Sequence, residues 1–216
     1  MIKKILNVLY IVLPFLVFSQ ERISKDESGK VINEAQFHTK WGNENLNLYR
    51  WDYMEDKKRI CTLKKGQISN PELDYGATLK ILEKKLDTVF TENAIIVLDF
   101  WYYNDICSIS RDDNWPSTEL RSVKEFNESK LGKIRELLHK HKQELYVFYI
   151  FEKNSKVKKG KKDYFKSFVE DSDNFFRENY FKEQAMCGSN LIITPSGTLL
   201  YNGESSIDYL LNNFIN

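Results

Sequence analysis

Three cysteines, Cys61, Cys107 and Cys187, are the residues of this 216-residue chain best suited to chemistry. A thiolate is a nucleophile, and two thiols within reach of each other exchange with a disulfide or close one of their own. None of the three belongs to a C-x-x-C pair, because Asn104 stands three residues before Cys107. Asp105 precedes Cys107 by two residues, and a carboxylate there would raise a thiol pKa rather than lower it. Asp105, Asp112 and Asp113 could together hold a cation or move protons, although loop carboxylates are ordinarily solvated. His139 and His141 stand two apart, so on a helix they point to different faces and cannot chelate one metal as an i, i+4 pair would. They read as exposed helix-end residues, and His38 has no partner in view. The chain holds no Walker loop, GxSxG or HExxH, so no metal and no cofactor is expected.

Two further stretches invite a binding role. Trp101, Tyr102 and Tyr103 could line a recognition groove at the end of a sheet, with Trp101 favoured as core by its place in an apolar run. Lys153, Lys156, Lys158, Lys159, Lys161 and Lys162 form a basic run without interleaved aromatics, which reads as a solvated loop rather than a nucleic-acid surface.

The amino terminus sets the expected compartment. Lys3 and Lys4 precede an apolar stretch from Val8 to Phe18, followed by Ser19 and Gln20. Residues 1–19 therefore read as a cleavable signal peptide whose apolar run falls short of a spanning helix, with an uncleaved membrane anchor as the alternative, and the mature chain is expected in a periplasm or outside the cell. Losing two lysines turns the formal charge of +1 into −1, which gives no reason to expect nucleic acid or an anionic membrane as partner. No later segment is apolar enough to span a bilayer. In an oxidising compartment, three cysteines suggest one disulfide and one leftover thiol.

These residues must be positioned by an α/β scaffold. Residues 20–70 read as an appendage: a short helix capped by Asn33 and Gln36 and carrying Phe37 and Trp41, then a hairpin of Leu46 to Tyr53 and Arg59 to Leu63. Tyr49, Trp51 and Tyr53 alternate onto one face of it. Tyr75, Leu79, Leu82 and Leu86 lay an apolar stripe along a helix after Asn70-Pro71. Ala94 to Tyr103 is an almost continuous apolar run, as expected of a strand buried on both faces. A polar loop leads to a helix marked by Leu131, Ile134, Leu137 and Leu138, and Leu145 to Phe151 is a second buried strand. Helical pattern returns around Phe175, Phe176 and Tyr180 with Ser172 as the N-cap candidate. Leu191 to Thr194 and Thr198 to Tyr201 flank a Pro195-Ser196-Gly197 turn, and Ile207, Leu210, Leu211 and Phe214 form a terminal helix. Residues 71–216 form the second unit, and from residue 94 its order is β-α-β-α-β-β-α.

That order resembles the thioredoxin core, and two strings add to the likeness. Asp99-Phe100-Trp101 resembles the DFW at the end of the first core strand of thioredoxins, and Asn190 to Gly203 resembles their closing hairpin. The chain looks in particular like exported thioredoxin-like proteins of bacterial envelopes, with the N-terminal helix and hairpin as an addition. It departs from them where the chemistry sits. Redox-active members follow DFW with WCxxC, whereas here Tyr102-Tyr103-Asn104-Asp105-Ile106 leads to Cys107 alone, and the loop before the third core strand has Cys187-Gly188-Ser189 without the usual proline. In the thioredoxin fold these two loops are adjacent, so the resemblance implies a Cys107–Cys187 disulfide; Cys61, on a predicted strand, reads as a buried small hydrophobe. The resemblance also makes Trp101, Tyr102, Tyr103, Asn104, Asp105 and Ser189 the candidate binding surface. The function expected is a non-catalytic binding or envelope-associated module for an unidentified protein or peptide. The alternatives are an atypical thiol-disulfide oxidoreductase using Cys107 and Cys187, and a secreted antagonist or protective partner of another protein.

Overall fold

The computed structural model describes residues 22–160 and 163–215. The segment read as a signal peptide lies outside them. Among the described residues no helix is long and apolar enough to cross a membrane.

Residues 22–65 form a small sheet with one helix on it. Its elements are β1 (Arg22–Lys25), β2 (Val31–Ile32), α1 (Glu34–Trp41), β3 (Leu48–Glu55) and β4 (Lys58–Lys65). They lie in the order β2-β1-β4-β3, with β1 parallel to β4 and the other pairs antiparallel. The cap predicted for α1 is present. Asn33 Oδ1 accepts from the Gln36 amide (2.9 Å) and Gln36 Oε1 accepts from the Asn33 amide (3.2 Å). Between β3 and β4 the chain reverses through Asp56 and Lys57, both at positive φ (48° and 64°), the combination that a two-residue hairpin with the right twist requires.

The interior of this sheet is ionic as well as apolar. Asp52, fully buried, accepts from Arg50 Nε and Nη2 (both 2.6 Å), from Arg59 Nε (2.7 Å) and from the Cys61 thiol (3.1 Å). Burial opposes its ionisation, but the hydrogen bonds from Arg50, Cys61 and Arg59 outweigh burial and hold the carboxyl below the usual range. Arg50 in turn lies over the Trp41 ring (5.1 Å) and the Phe37 ring (5.5 Å). Cys61 is buried as expected, yet it belongs to this polar cluster and receives a hydrogen bond from Arg22 Nε (3.1 Å), so it is no simple small hydrophobe.

The larger sheet has six strands. In chain order the elements are β5 (Ile68–Ser69), α2 (Tyr75–Leu86), β6 (Ile95–Trp101), α3 (Ile106–Ile109), β7 (Asn114–Trp115), α4 (Ser117–Lys140), β8 (Leu145–Glu152), β9 (Lys156–Val157), β10 (Phe168–Asp171), α5 (Phe175–Asn179), β11 (Ser189–Thr194), β12 (Gly197–Asn202) and α6 (Ile207–Ile215). The spatial order is β10-β8-β6-β11-β12-β5; β6, β8 and β10 run parallel, and the remaining neighbours pair antiparallel. Strands β7 and β9 pair separately. The apolar run of β6 is explained by its central place. One face joins Val97, Val147 and Ile192 to Leu120, Leu131 and Leu138 of α4 and to Leu210 of α6. The other joins Ile96, Leu98 and Phe100 to Leu82 and Leu86 of α2 and to Tyr49 of β3.

Several elements differ from the sequence reading. Helix α4 starts at Ser117, far before the expected Leu131, because its first half is polar and sends inward mainly Leu120, Val123 and Asn127; Leu137 is exposed, against expectation. The basic run is not all loop, since Lys156–Val157 pairs with Asn114–Trp115, and the strand β10 after it went unrecognised. Ser172 does not cap α5. The Asp171 carboxylate does so, accepting from the amides of Phe176 (3.0 Å) and Arg177 (2.8 Å). Ile68 and Ser69, before the expected boundary at residue 70, pair with Tyr201 and Leu200 in the larger sheet.

Removing one member of the buried ion cluster strands the others without a counter-charge. Asp52→Ala is expected to cost about 3 to 5 kcal/mol of stability, read from the urea midpoint. A loss under about 1 kcal/mol would mean that Arg50 and Arg59 find solvent instead.

Candidate functional site

The end of β6 and the start of β11 bring the two half-exposed cysteines together. Cys107 and Cys187, 80 residues apart in sequence, form a disulfide with their Cα atoms 5.3 Å apart. Cys187 sits at φ 59° and Gly188 at φ 96°, so the chain turns back sharply here. A Cβ on Gly188 would lie 2.7 Å from the Phe100 carbonyl oxygen, which leaves glycine as the residue that fits. The loop ahead of Cys187 is braced from two sides: Met186 N–H donates to the Arg50 carbonyl of β3 (2.8 Å), and Tyr102 O–H donates to the Glu183 carbonyl (2.6 Å).

Asp105 governs the short helix that carries Cys107. Its Oδ1 accepts from the amides of Cys107 (2.6 Å) and Ser108 (2.8 Å), so a carboxyl fills the helix start. Asp105 is fully buried and its Oδ2 has no partner. Burial raises its pKa to about 6 against the pull of those two amides, and the neighbouring Asp113 adds to the rise. Asp113 is itself engaged, accepting from the Asn104 amide (3.0 Å). Arg111 then closes the turn, with Nη1 donating to the Cys107 carbonyl (2.7 Å), its guanidinium 5.1 Å from the Trp115 ring, and Nε paired with Glu119.

Beside the disulfide a cleft of about 500 Å³ opens between the sheet, α4 and the start of α6; Cys187, Asp99, Trp101 and Asn190 line its sheet side. Asp99 lies on β6 with Asn190 directly opposite on β11 and Tyr149 opposite on β8, so the three share one face of the sheet. From α4, Asn127 Nδ2 donates to the Tyr149 hydroxyl (3.1 Å). Three polar groups in this wall lack a bonded partner. Asn190, 3 % exposed, has an unpaired Oδ1, and the Trp101 indole N–H is unpaired as well. The third is the Asp99 carboxyl. Its pKa is raised to about 7, above all by burial; the indole dipole of Trp101 favours the anion, although the contact falls short of a formed hydrogen bond.

The candidate residues named from sequence are thus divided. Trp101 and Cys187 line the cleft. Tyr102 and Ser189 are buried, with Tyr102 Oη 3.0 Å from Ser189 Oγ, and Asp105 is a buried cap, so these three serve the protein's interior. Tyr103 is half-buried, its amide on the Glu152 carboxylate (2.8 Å), and Asn104 is exposed at φ 60°. His139 and His141 are exposed at the end of α4. Among the described residues no group of three or more His, Cys, Asp and Glu side chains could hold a metal ion. Sequence reasoning missed Asp99 and Asn190 as site residues. The signal was present, since Asp99 is the one charged residue inside an otherwise apolar and aromatic run. Comparison of the chain with family models, with curated proteins and with solved structures finds no match in any of the three.

An unpaired carboxyl buried at this position costs stability when it ionises. Its folded pKa of about 7 exceeds the unfolded value, so the contribution is complete below about pH 4 and is lost as the pH rises to about 7, roughly 4 kcal/mol in all. Asp99→Asn removes that loss. The variant is expected to exceed the parent in urea stability at pH 8 by a few kcal/mol and to match it near pH 4. A slope left in the variant above about pH 4 comes from Asp105, whose pKa is about 6, and from Asp171, which burial also raises. Equal pH profiles for the two proteins would show that Asp99 titrates as a solvated carboxyl.

Proposed function

We propose that this is an exported binding protein of thioredoxin-like fold, in which Cys107–Cys187 is a staple and the cleft beside it is the binding site. The strand order β8-β6-β11-β12, with β6 and β8 parallel and the β11–β12 hairpin antiparallel, supports the fold reading. The observation that carries the function is Asp105. A reactive cysteine at a helix start depends on the amides and dipole there to stabilise its thiolate. Here the amides of Cys107 and Ser108 are taken by the Asp105 carboxyl, whose ionised form repels a thiolate. The bridge closes an 80-residue loop, an arrangement worth about 2 to 5 kcal/mol of stability. Export, proposed from the amino-terminal sequence, supplies the oxidising compartment in which such a staple persists.

A second reading rests on Asp99. Both cysteines are half-exposed, and a carboxyl with a pKa of about 7 lines the same cleft as Cys187. In a thiol-disulfide exchange, a partner dithiol would attack Cys107, the S–S bond would break, and the departing Cys187 thiolate would take the Asp99 proton. The partner's second thiol would then displace Cys107, leaving the partner oxidised and both cysteines reduced.

Insulin reduction by dithiothreitol separates the two. The protein is expected not to accelerate insulin precipitation, and Cys107→Ser/Cys187→Ser is expected to behave identically while unfolding at lower urea. Acceleration that disappears in either single Ser variant would overturn the staple and establish the exchange.

A further inference from the structure

The chemistry of the cleft defines what it would take, a deduction that rests on the binding reading above. Its charged lining is Asp99 from β6, Glu119 and Lys130 from α4, and Glu204 from the turn before α6. Glu119 is paired with Arg111, and Lys130 faces Asp208 at 4.0 Å and lies over the Phe126 ring. Among the described residues Asp99 and Glu204 have no basic partner, so the charge left for a ligand is negative. Of the unpaired hydrogen-bonding groups, the Trp101 indole N–H is a donor directed at Asp99, and the two others agree with that sign. Asn190 Oδ1 is an acceptor, 3 % exposed, on the strand directly opposite Asp99, and the Asp99 carboxylate is a second acceptor on the same face. Tyr149 on the other side of Asp99 accepts from Asn127 Nδ2 through its hydroxyl oxygen.

Two converging acceptors in a low-dielectric wall call for a group rich in N–H donors. Val123 and Ile207 supply an apolar flank for the methylenes that would carry it. The volume of about 500 Å³ accommodates one such side chain or small molecule but not a folded element.

We propose that this cleft binds an alkylammonium or alkylguanidinium group, held by the Asp99 carboxylate and Asn190 Oδ1, presented either by a free amine or by a Lys or Arg side chain of a partner polypeptide. A cation seated there supplies the counter-charge that Asp99 lacks among the described residues. Binding strengthens as Asp99 loses its proton, so it is weak at pH 5.5 and full at pH 8. Lys130 opposes the cation and Glu204 favours it, while Tyr149 stays neutral because burial pushes its pKa up.

The test is titration of the full mature chain at pH 8 with butylguanidinium, butylammonium and acetyl-Gly-Arg-Gly-amide, with butyrate and butanol as controls, following the Trp101 indole ¹H–¹⁵N resonance. Saturable shifts at millimolar or tighter concentration are expected for the cations alone. Asp99→Asn, an isosteric change, and Glu204→Gln, on the exposed rim, should each weaken binding, the first at least tenfold. Tighter binding of the peptide than of the free cations assigns the polypeptide source, and the reverse order assigns the free amine. Saturable binding of butyrate or butanol, unmoved by Asp99→Asn, overturns the cation and leaves a binding cleft standing. No saturable shift from any of the five overturns the proposal, while redox turnover in the insulin assay is the result that removes the binding reading itself.

Discussion

The site depends on how closely the Cys187-Gly188 turn presses against the end of β6. A side chain at Gly188 would collide with the Phe100 carbonyl, and Cys187 itself adopts a left-handed conformation. That contact brings the two sulfurs together, sets Asn190 opposite Asp99 and gives the cleft its rear wall. The neighbouring chain holds it in place. Gly203 N–H donates to the Gly188 carbonyl (3.0 Å), and the hairpin β3–β4 reaches across to the preceding residue through Arg50. The amino-terminal sheet is therefore part of the site's support. Its own order rests in turn on the buried Asp52 cluster.

Two buried carboxyls a few residues apart do opposite work, and their surroundings explain why. Asp105 spends its charge on two backbone amides, which repay part of the burial cost and leave its pKa near 6. Asp99 has no such amides, and its pKa stands near 7. The first is a fixture of the helix start. The second is a buried carboxyl with a raised pKa in the wall of a cleft, the setting that makes a residue a functional-site candidate.

Much of the scaffold was legible because it rests on local rules: the capped helix at Asn33, the hairpin through Asp56-Lys57, the apolar run of β6 and the closing hairpin all follow from short-range pattern. The failures came where tertiary contact overrides local signal. The polar first half of α4 is helical because Leu120 and Asn127 reach the sheet, and Lys156–Val157 becomes a strand by pairing with Asn114–Trp115. Cys61 looked apolar because its partners Asp52, Arg22 and Arg50 meet only after the sheet forms. For the site, the Cys107–Cys187 pairing followed from the thioredoxin resemblance. The cleft residues were harder to read, since Asp99 and Asn190 become neighbours only through strand register.

The account holds that the bridge is a staple set beside a binding cleft. The reduction potential of Cys107–Cys187 in the mature protein, titrated against a dithiothreitol couple, tests this most directly. The account predicts a potential below about −300 mV, out of reach of the glutathione pool. A value between about −270 and −120 mV, the range of working thiol-disulfide oxidoreductases, would contradict it and return the disulfide to the role of catalyst.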